Sequence, residues 1–315
     1  MYDMRIGFFA HAPGHPPQPS RAKPGQRMRT AHPPVLPQAK HGCGGWVHDL
    51  PLNTSETKGA KKHLMASHNT LYIRQVRMSE APEAGSYLHT LPVVRHLQRQ
   101  VLSFESPVTI LVGENGTGKS TLIEAIAIAY GFNPEGGTKN FNFSTHSTHS
   151  GLWENLSLVW SPKRARDGFF LRAESFYNVA SNIDDLDGEG GLGAPVIDSY
   201  GGVSLHEQSH GESFLSLVCN RFGGQGVYIL DEPEAALSPM RLMTLMAQIH
   251  RLEQAESQFI IATHSPILMT YPGAQVLQID AHGIHPTDYR ATEHYRITRR
   301  FLENPDSILN ELLED

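Results

Sequence analysis

The chain has 315 residues, enough for one large or two modest domains, and its 39% hydrophobic against 18% charged content excludes disorder throughout. Its net charge of −6 averages two unlike parts: residues 1–64 hold nine Lys/Arg and three Asp/Glu, a net of +6, and residues 65–315 hold 17 and 29, a net of −12. A chain-wide basic footprint for nucleic acid is therefore excluded, and no stretch approaches the ~18–20 apolar residues of a membrane helix.

Residues 1–64 contain nine Pro, seven Gly and six His with no sustained apolar period. Such a segment cannot bury enough surface to offset chain entropy, so a disordered Pro/His-rich basic tail is expected. Two readings of it compete: an arm that binds a partner, or a stretch upstream of a true start at Met65. The second is preferred, because ordered patterning begins just after it, at Leu71-Tyr72-Ile73. The opening apolar run is too short for a secretory signal core. Cys43 and Cys219 are too few for a disulfide framework and lack metal-ligand spacing. Cys219, after Leu217 and Val218, reads as a buried small apolar residue, and a soluble, reducing, cytoplasmic setting is expected.

From Leu71 onward, strand-like and helix-like patterns alternate. Val108 to Val112 is a continuous apolar run stopped by Gly113, and Ser120 to Tyr130 follows with Leu122, Ile123, Ile126 and Ala129 on one helical face. Gly136-Gly137, the Ser/Thr/His repeat at 144–150 and the acidic glycine-rich stretch at 184–193 read as loops. His146 and His149 have no partner spaced to complete a metal site, so a solvated polar loop is the preferred reading. Val227 to Leu230 is a second buried-type strand stopped by Asp231, and Phe259 to Ala262 a third, stopped by Thr263 and His264. Between them Leu242, Leu245, Met246, Ile249 and Leu252 trace a helix, with Ser238 as N-cap and Pro239 at its first position. Continuous apolar strands joined by amphipathic helices imply an α/β fold, a mainly parallel sheet with helices on both faces. Ligands of such sheets lie beyond the carboxyl ends of the strands.

All three strands deliver polar residues at that end. Gly113-Glu114-Asn115-Gly116-Thr117-Gly118-Lys119-Ser120, followed by Thr121, fits the phosphate-loop pattern between a strand and a helix. Its backbone N–H groups would cradle phosphate oxygens, Lys119 would reach the β- and γ-phosphates, and Ser120 would place its hydroxyl on Mg²⁺. Asp231 is placed to bind Mg²⁺ directly or through water, and Glu232 to orient or deprotonate an attacking water. Ser209-His210-Gly211-Glu212 opens another helix and has the form of a capping box, a geometry that also suits an anion. His264, on the ligand edge, is placed to hydrogen-bond a γ-phosphate and the neighbouring carboxylate as a neutral imidazole.

In chain order (phosphate loop, the Ser209-His210-Gly211-Glu212 helix start, Leu230-Asp231-Glu232-Pro233, Glu234 to Ser238, then Thr263-His264-Ser265) the motifs resemble the ATP-binding-cassette class of P-loop ATPases, and more closely the small stand-alone bacterial "AAA family ATPase" proteins related to recombination and chromosome-maintenance ATPases. The resemblance covers about residues 70–315. It implies a P-loop NTPase domain over 65–315 with a smaller helical or loop lobe carrying the signature. It also implies that Ser209, Gly211 and Glu212 cap ATP bound by a second protomer, that Ala235 to Ser238 form the inter-subunit loop, and that His264 is the switch histidine. His210 stands where a glycine is usual and Glu212 where a glutamine is usual. Glu174 is the best substitute for an absent glutamine loop. Only ~90 residues separate Ser120 from Ser209, so long coiled-coil arms are absent.

The function implied is Mg²⁺-dependent ATP binding and hydrolysis by a head-to-tail homodimer acting on an unidentified protein or DNA partner, without membrane insertion. The alternatives are the energising subunit of a membrane transporter, against which the atypical signature speaks, and a nucleotide kinase. A DNA role would rest on clusters such as Arg95 to Arg99 or Arg296 to Arg300, each also readable as a solvated helix face. Tyr87 is a candidate adenine stacker.

Overall fold

The computed structural model describes residues 71–139, 150–181, 202, 206 and 208–313. Backbone contacts divide the chain into Met1–Lys40 and His41–Asp315, and every described residue lies in the second unit. The tail at 1–64, Cys43, Met65, His146, His149 and the acidic loop at 184–193 lie outside the described residues.

Two sheets are present among them. The smaller is antiparallel, with β1 (Ile73–Met78) between β2 (Leu102–Ser103) and β4 (Leu156–Trp160). The larger has the order β5 (Asp167–Arg172), β6 (Gly226–Asp231), β7 (Gln258–Ala262), β3 (Val108–Gly113), β8 (Gln275–Asp280), β9 (Gly283–Pro286). Its first five strands are parallel, and β9 folds back antiparallel on β8. The three strands expected from apolar runs are therefore adjacent, as β6, β7 and β3. Their residues are all buried, as a sheet covered on both faces requires.

The pleat divides these strands between two cores. Val108, Ile110, Val112, Tyr228, Leu230, Phe259 and Ile261 face helices α3 (His210–Arg221) and α4 (Pro239–Gln254). Leu111, Val227, Ile229, Ile260 and Ala262 face helix α2 (Lys119–Tyr130), α1 (Pro92–Leu97) and the antiparallel sheet. Helix α4 starts as expected, with the Ser238 hydroxyl accepting from the Arg241 N–H, and buries Leu242, Leu245, Ile249 and Leu252.

Helix α2 departs from the single apolar face read in the sequence. Leu122, Ile123, Ala125, Ile126, Ala127 and Tyr130 are all buried, and so are Lys119 and Glu124. The cause is the antiparallel sheet, which covers the side of α2 turned away from the large sheet. Side chains also tie the two sheets: the Gln275 amide on β8 donates to the Ser103 carbonyl on β2 at 3.1 Å. The Gln258 amide at the start of β7 accepts from the N–H groups of Tyr72 and Ile73 at 2.8 and 2.9 Å and donates to the Ile73 carbonyl at 2.9 Å. Gly137, read as loop, hydrogen-bonds both ways with Phe170 on β5. Cys219, expected to be buried, is half-buried on α3. The short helix α5 (Pro266–Met269) lies between β7 and β8, and α6 (Glu293–Glu303) and α7 (Pro305–Leu313) close the described chain.

Candidate functional site

At the carboxyl edge of the large sheet, strand register decides which residues meet. Arg172 pairs with Asp231, Asp231 with Ala262, and Ala262 with Leu111, so the residues just past each strand converge. The loop from Gly113 to Gly118 then turns into α2. Gly116 and Gly118 have φ of 80° and 91°, the left-handed region where a β-carbon is penalised. At Gly118 that carbon would also lie 2.6 Å from Val93 Cγ2 on α1. Glu114 and Asn115 are exposed, the Thr117 hydroxyl donates to the Glu114 carbonyl, and Thr121 is half-buried in the first turn of α2.

Lys119 is 4% exposed and folds back over this loop, its Nζ donating to the Gly113 carbonyl at 2.7 Å and the Glu114 carbonyl at 2.9 Å. Burial lowers its pKa, while the carboxylates of Glu232, Asp231, Glu234 and Glu114 act to raise it. The ammonium thus lies in the field of four carboxylates while its hydrogen bonds go to two loop carbonyls.

Asp231 is 5% exposed at the end of β6, and Ser120 donates its hydroxyl to Oδ1 at 3.3 Å. Burial pushes the Asp231 pKa up to about 7, against the lowering effect of Arg172. A buried carboxylate so incompletely compensated, beside a serine hydroxyl, is a hard-oxygen pair that fits Mg²⁺. Among the described residues no group of three or more His, Cys, Asp or Glu could hold a metal alone. Mg²⁺ here would therefore draw its other ligands from phosphate oxygens and water.

Arg172 is a site residue that the sequence pattern did not single out. From the end of β5 its Nη1 pairs with Glu124 on α2 at 2.6 Å, and its Nε lies 3.5 Å from Asp231 Oδ2. It thereby links the phosphate-loop helix to the acidic strand end. Glu174, the proposed glutamine substitute, is exposed and among the described residues pairs only with Arg172, at 3.5 Å. Its position past β5 is on the site edge, and its effect on Asp231 is to raise the pKa.

Glu232 has φ 48° and ψ 52°, a left-handed conformation that costs a non-glycine residue ~1–3 kcal/mol. Its backbone N–H donates to the Ala262 carbonyl, and its Oε1 lies 3.6 Å from His264 Nε2. His264 is pushed down to about 4 by burial first and then by Lys119 and His294, so its imidazole is neutral near pH 7, as expected. Glu234, also not anticipated, fixes the loop that carries it: its Oε1 accepts from the backbone N–H groups of His264 and Ser265. Burial raises the Glu234 pKa.

The signature forms a separate group. Ser209 and Glu212 make the expected capping box at the start of α3, with the Ser209 hydroxyl donating to Glu212 Oε2 at 2.6 Å. Arg241 on α4 completes it, pairing with Glu212 Oε1 at 3.0 Å and donating to Ser209 Oγ at 3.3 Å. A β-carbon on Gly211 would lie 2.5 Å from Arg241 Nη1 and 2.8 Å from the Ala236 carbonyl, so this helix start is packed directly on the Ala235–Ser238 loop. Among the described residues, Ser209 and Glu212 share no hydrogen bond or ion pair with Lys119, Ser120, Asp231, Glu232 or His264. Tyr87 is 59% exposed, and the Arg95–Arg99 and Arg296–Arg300 arginines are exposed as well. Among the described residues no helix is long and apolar enough to cross a membrane.

Two family models match the chain. Residues 91–159 match one described as "AAA domain", and residues 196–270 match one described as "AAA domain, putative AbiEii toxin, Type IV TA system". The first match contains the phosphate loop, and the second contains the signature, Asp231, Glu232 and His264. No curated protein matches the sequence. Solved structures similar to it include cbiO1 from Clostridium perfringens, part of the ABC transporter complex cbiONQ, with 16% identity, 78% of this chain and 100% of that chain covered, and a TM-score of 0.41. The SMC head domain from Thermotoga maritima is similar at 16% identity, over 69% of this chain and 99% of that chain, with a TM-score of 0.36.

Proposed function

We propose that this P-loop ATPase domain is a Mg²⁺-dependent ATP-hydrolysing switch that works as a head-to-tail homodimer. The single observation that carries the reading is the convergence of Lys119, Ser120, Asp231, Glu232 and His264 on one strand edge, in the roles their chemistry suits. Lys119 and the backbone N–H groups of Gly113 to Ser120 hold the phosphates. Ser120 and Asp231 would hold Mg²⁺, which would supply positive charge to neutralise the phosphates. Glu232 accepts a proton from the attacking water, and the neutral His264 donates a hydrogen bond towards the γ-phosphate side of the same water.

The dimer follows from the separation of the signature from this group. Among the described residues Ser209 and Glu212 share no hydrogen bond or ion pair with Lys119, Ser120, Asp231, Glu232 or His264, and the start of α3 is a helix N-terminus of the kind that suits an anion. A second protomer turned head to tail would bring them onto the γ-phosphate, and hydrolysis would release the pair. The functional unit in this reading is residues 65–315, with 1–64 as a tail, acting in the cytoplasm on a protein or DNA partner. Glu174 keeps its proposed place as the glutamine-loop substitute.

Lys119→Ala tests the phosphate site. Nucleotide binding, read by isothermal titration with Mg²⁺ and ATP, falls at least a hundredfold if Lys119 is the phosphate contact, in line with the ~3 kcal/mol of a charge-assisted bond. Binding near the wild-type level would show that the site lies elsewhere.

A further inference from the structure

We propose that His294, in the first turn of α6, is a positioning residue that sets the tautomer of His264 by donating its Nε2–H to His264 Nδ1. The two atoms are 2.8 Å apart and the ring centroids 4.7 Å. His294 is held by its neighbour Thr292, the N-cap of α6. Thr292 is 2% exposed, and its hydroxyl donates to the Tyr289 carbonyl and also contacts Met269 Sδ at 3.6 Å. Met269 ends α5, the short helix that follows His264 directly, so both rings are anchored to the same packed corner.

A hydrogen bond between two imidazole nitrogens has one donor. If His264 donated from Nδ1, its Nε2 would carry a lone pair. That nitrogen is buried, has no hydrogen-bond partner among the described residues, and faces Glu232 Oε1 at 3.6 Å. A lone pair aimed at a carboxylate is repelled, and it offers nothing to a phosphate oxygen. If His294 donates instead, the one proton of the neutral His264 ring sits on Nε2 and points at Glu232. Electrostatics select the second arrangement. The C-terminal helix thereby takes part in the hydrolysis site without touching nucleotide. Its kinetic consequence rests on the ATPase reading; the tautomer itself does not.

The test uses full-length protein labelled with ¹⁵N-histidine. In nucleotide-free wild type, His264 shows a protonated Nε2 and an unprotonated Nδ1. In His294→Gln the amide N–H replaces the donor, so the tautomer is retained and kcat stays within about threefold of wild type. In His294→Glu only an acceptor remains, so the His264 proton moves to Nδ1 and kcat falls about a hundredfold with KM little changed, the loss expected for one misdirected transition-state donor. A proton on Nδ1 in the wild type overturns the assignment. An unchanged tautomer or an unchanged kcat in His294→Glu overturns it as well. Wild type that shows the Nε2 proton but releases no phosphate supports the tautomer and refutes the ATPase reading instead.

Discussion

His264 is held neutral by its surroundings, and this makes stability depend on pH in a definite direction. Its folded pKa of about 4 lies below the ordinary histidine value of 6.5. Between those values the unfolded chain binds the proton and the folded chain does not, so this residue's contribution is lost as pH falls from 6.5 towards 4. Asp231 acts in the opposite sense, because its folded pKa of about 7 lies above the ordinary 3.8 and favours the folded state on acidification. The two effects overlap, so a comparison of variants is needed to separate them. The difference in Tm between wild type and His264→Gln should shrink as pH is lowered from 7.5 to 4.5 in nucleotide-free protein. A difference that stays constant would mean that His264 is not desolvated. Asp231, Glu232 and His264 were all legible in the sequence because each ends an apolar run. Arg172, Glu124 and Glu234 were not, because they take their meaning from partners 48 or more and 30 residues away, brought close by strand register and by one turn of loop. His294 lies 30 residues beyond His264 in a segment with no motif of its own.

The elements that the sequence foretold are those whose pattern is local. Strands β3, β6 and β7 are continuous apolar runs, and the starts of α3 and α4 carry their own caps. The antiparallel sheet escaped notice for the opposite reason. Along β1 only Ile73 and Val76 are fully buried, β2 has two residues, and β4 pairs with β1 from some 80 residues away. That sheet covers the far side of α2, which its own sequence shows as a helix with a single apolar face. Glu124 is buried on α2 and pairs with the half-buried Arg172 at the end of β5, so Arg172→Ala leaves a buried carboxylate without its cation, at a cost of about 1–3 kcal/mol in thermal unfolding. At the start of α3 the packing is tighter still. Gly211→Ala would place its new methyl 2.8 Å from the Ala236 carbonyl, and backbone cannot step aside as the tip of Arg241 can. A loss of about 1–3 kcal/mol is expected from thermal unfolding, with the ATP-dependent dimer weakened alongside it. A Tm equal to that of wild type would mean that the signature does not pack on the Ala235–Ser238 loop.

For the whole molecule, the net charge resolves into a basic stretch over residues 1–64 and an acidic remainder over 65–315. A molecule of this charge gains no general attraction to DNA, so any partner is recognised through a local surface. In the proposed reading the Gly113–Ser120 loop and the Ser209–Glu212 helix start are two half-sites, and among the described residues Ser209 and Glu212 share no hydrogen bond or ion pair with Lys119, Ser120, Asp231, Glu232 or His264. Each explains the other if two copies close around two nucleotides. Glu232→Gln removes the proton acceptor while keeping the shape and the phosphate contacts, so it should arrest the closed state. The decisive measurement is size-exclusion chromatography with light scattering on Glu232→Gln, with and without Mg²⁺ and ATP. The account predicts a monomer without nucleotide and a stable dimer of twice the mass with it, reversed when Lys119→Ala is added. A Glu232→Gln protein that stays monomeric at saturating ATP would contradict it.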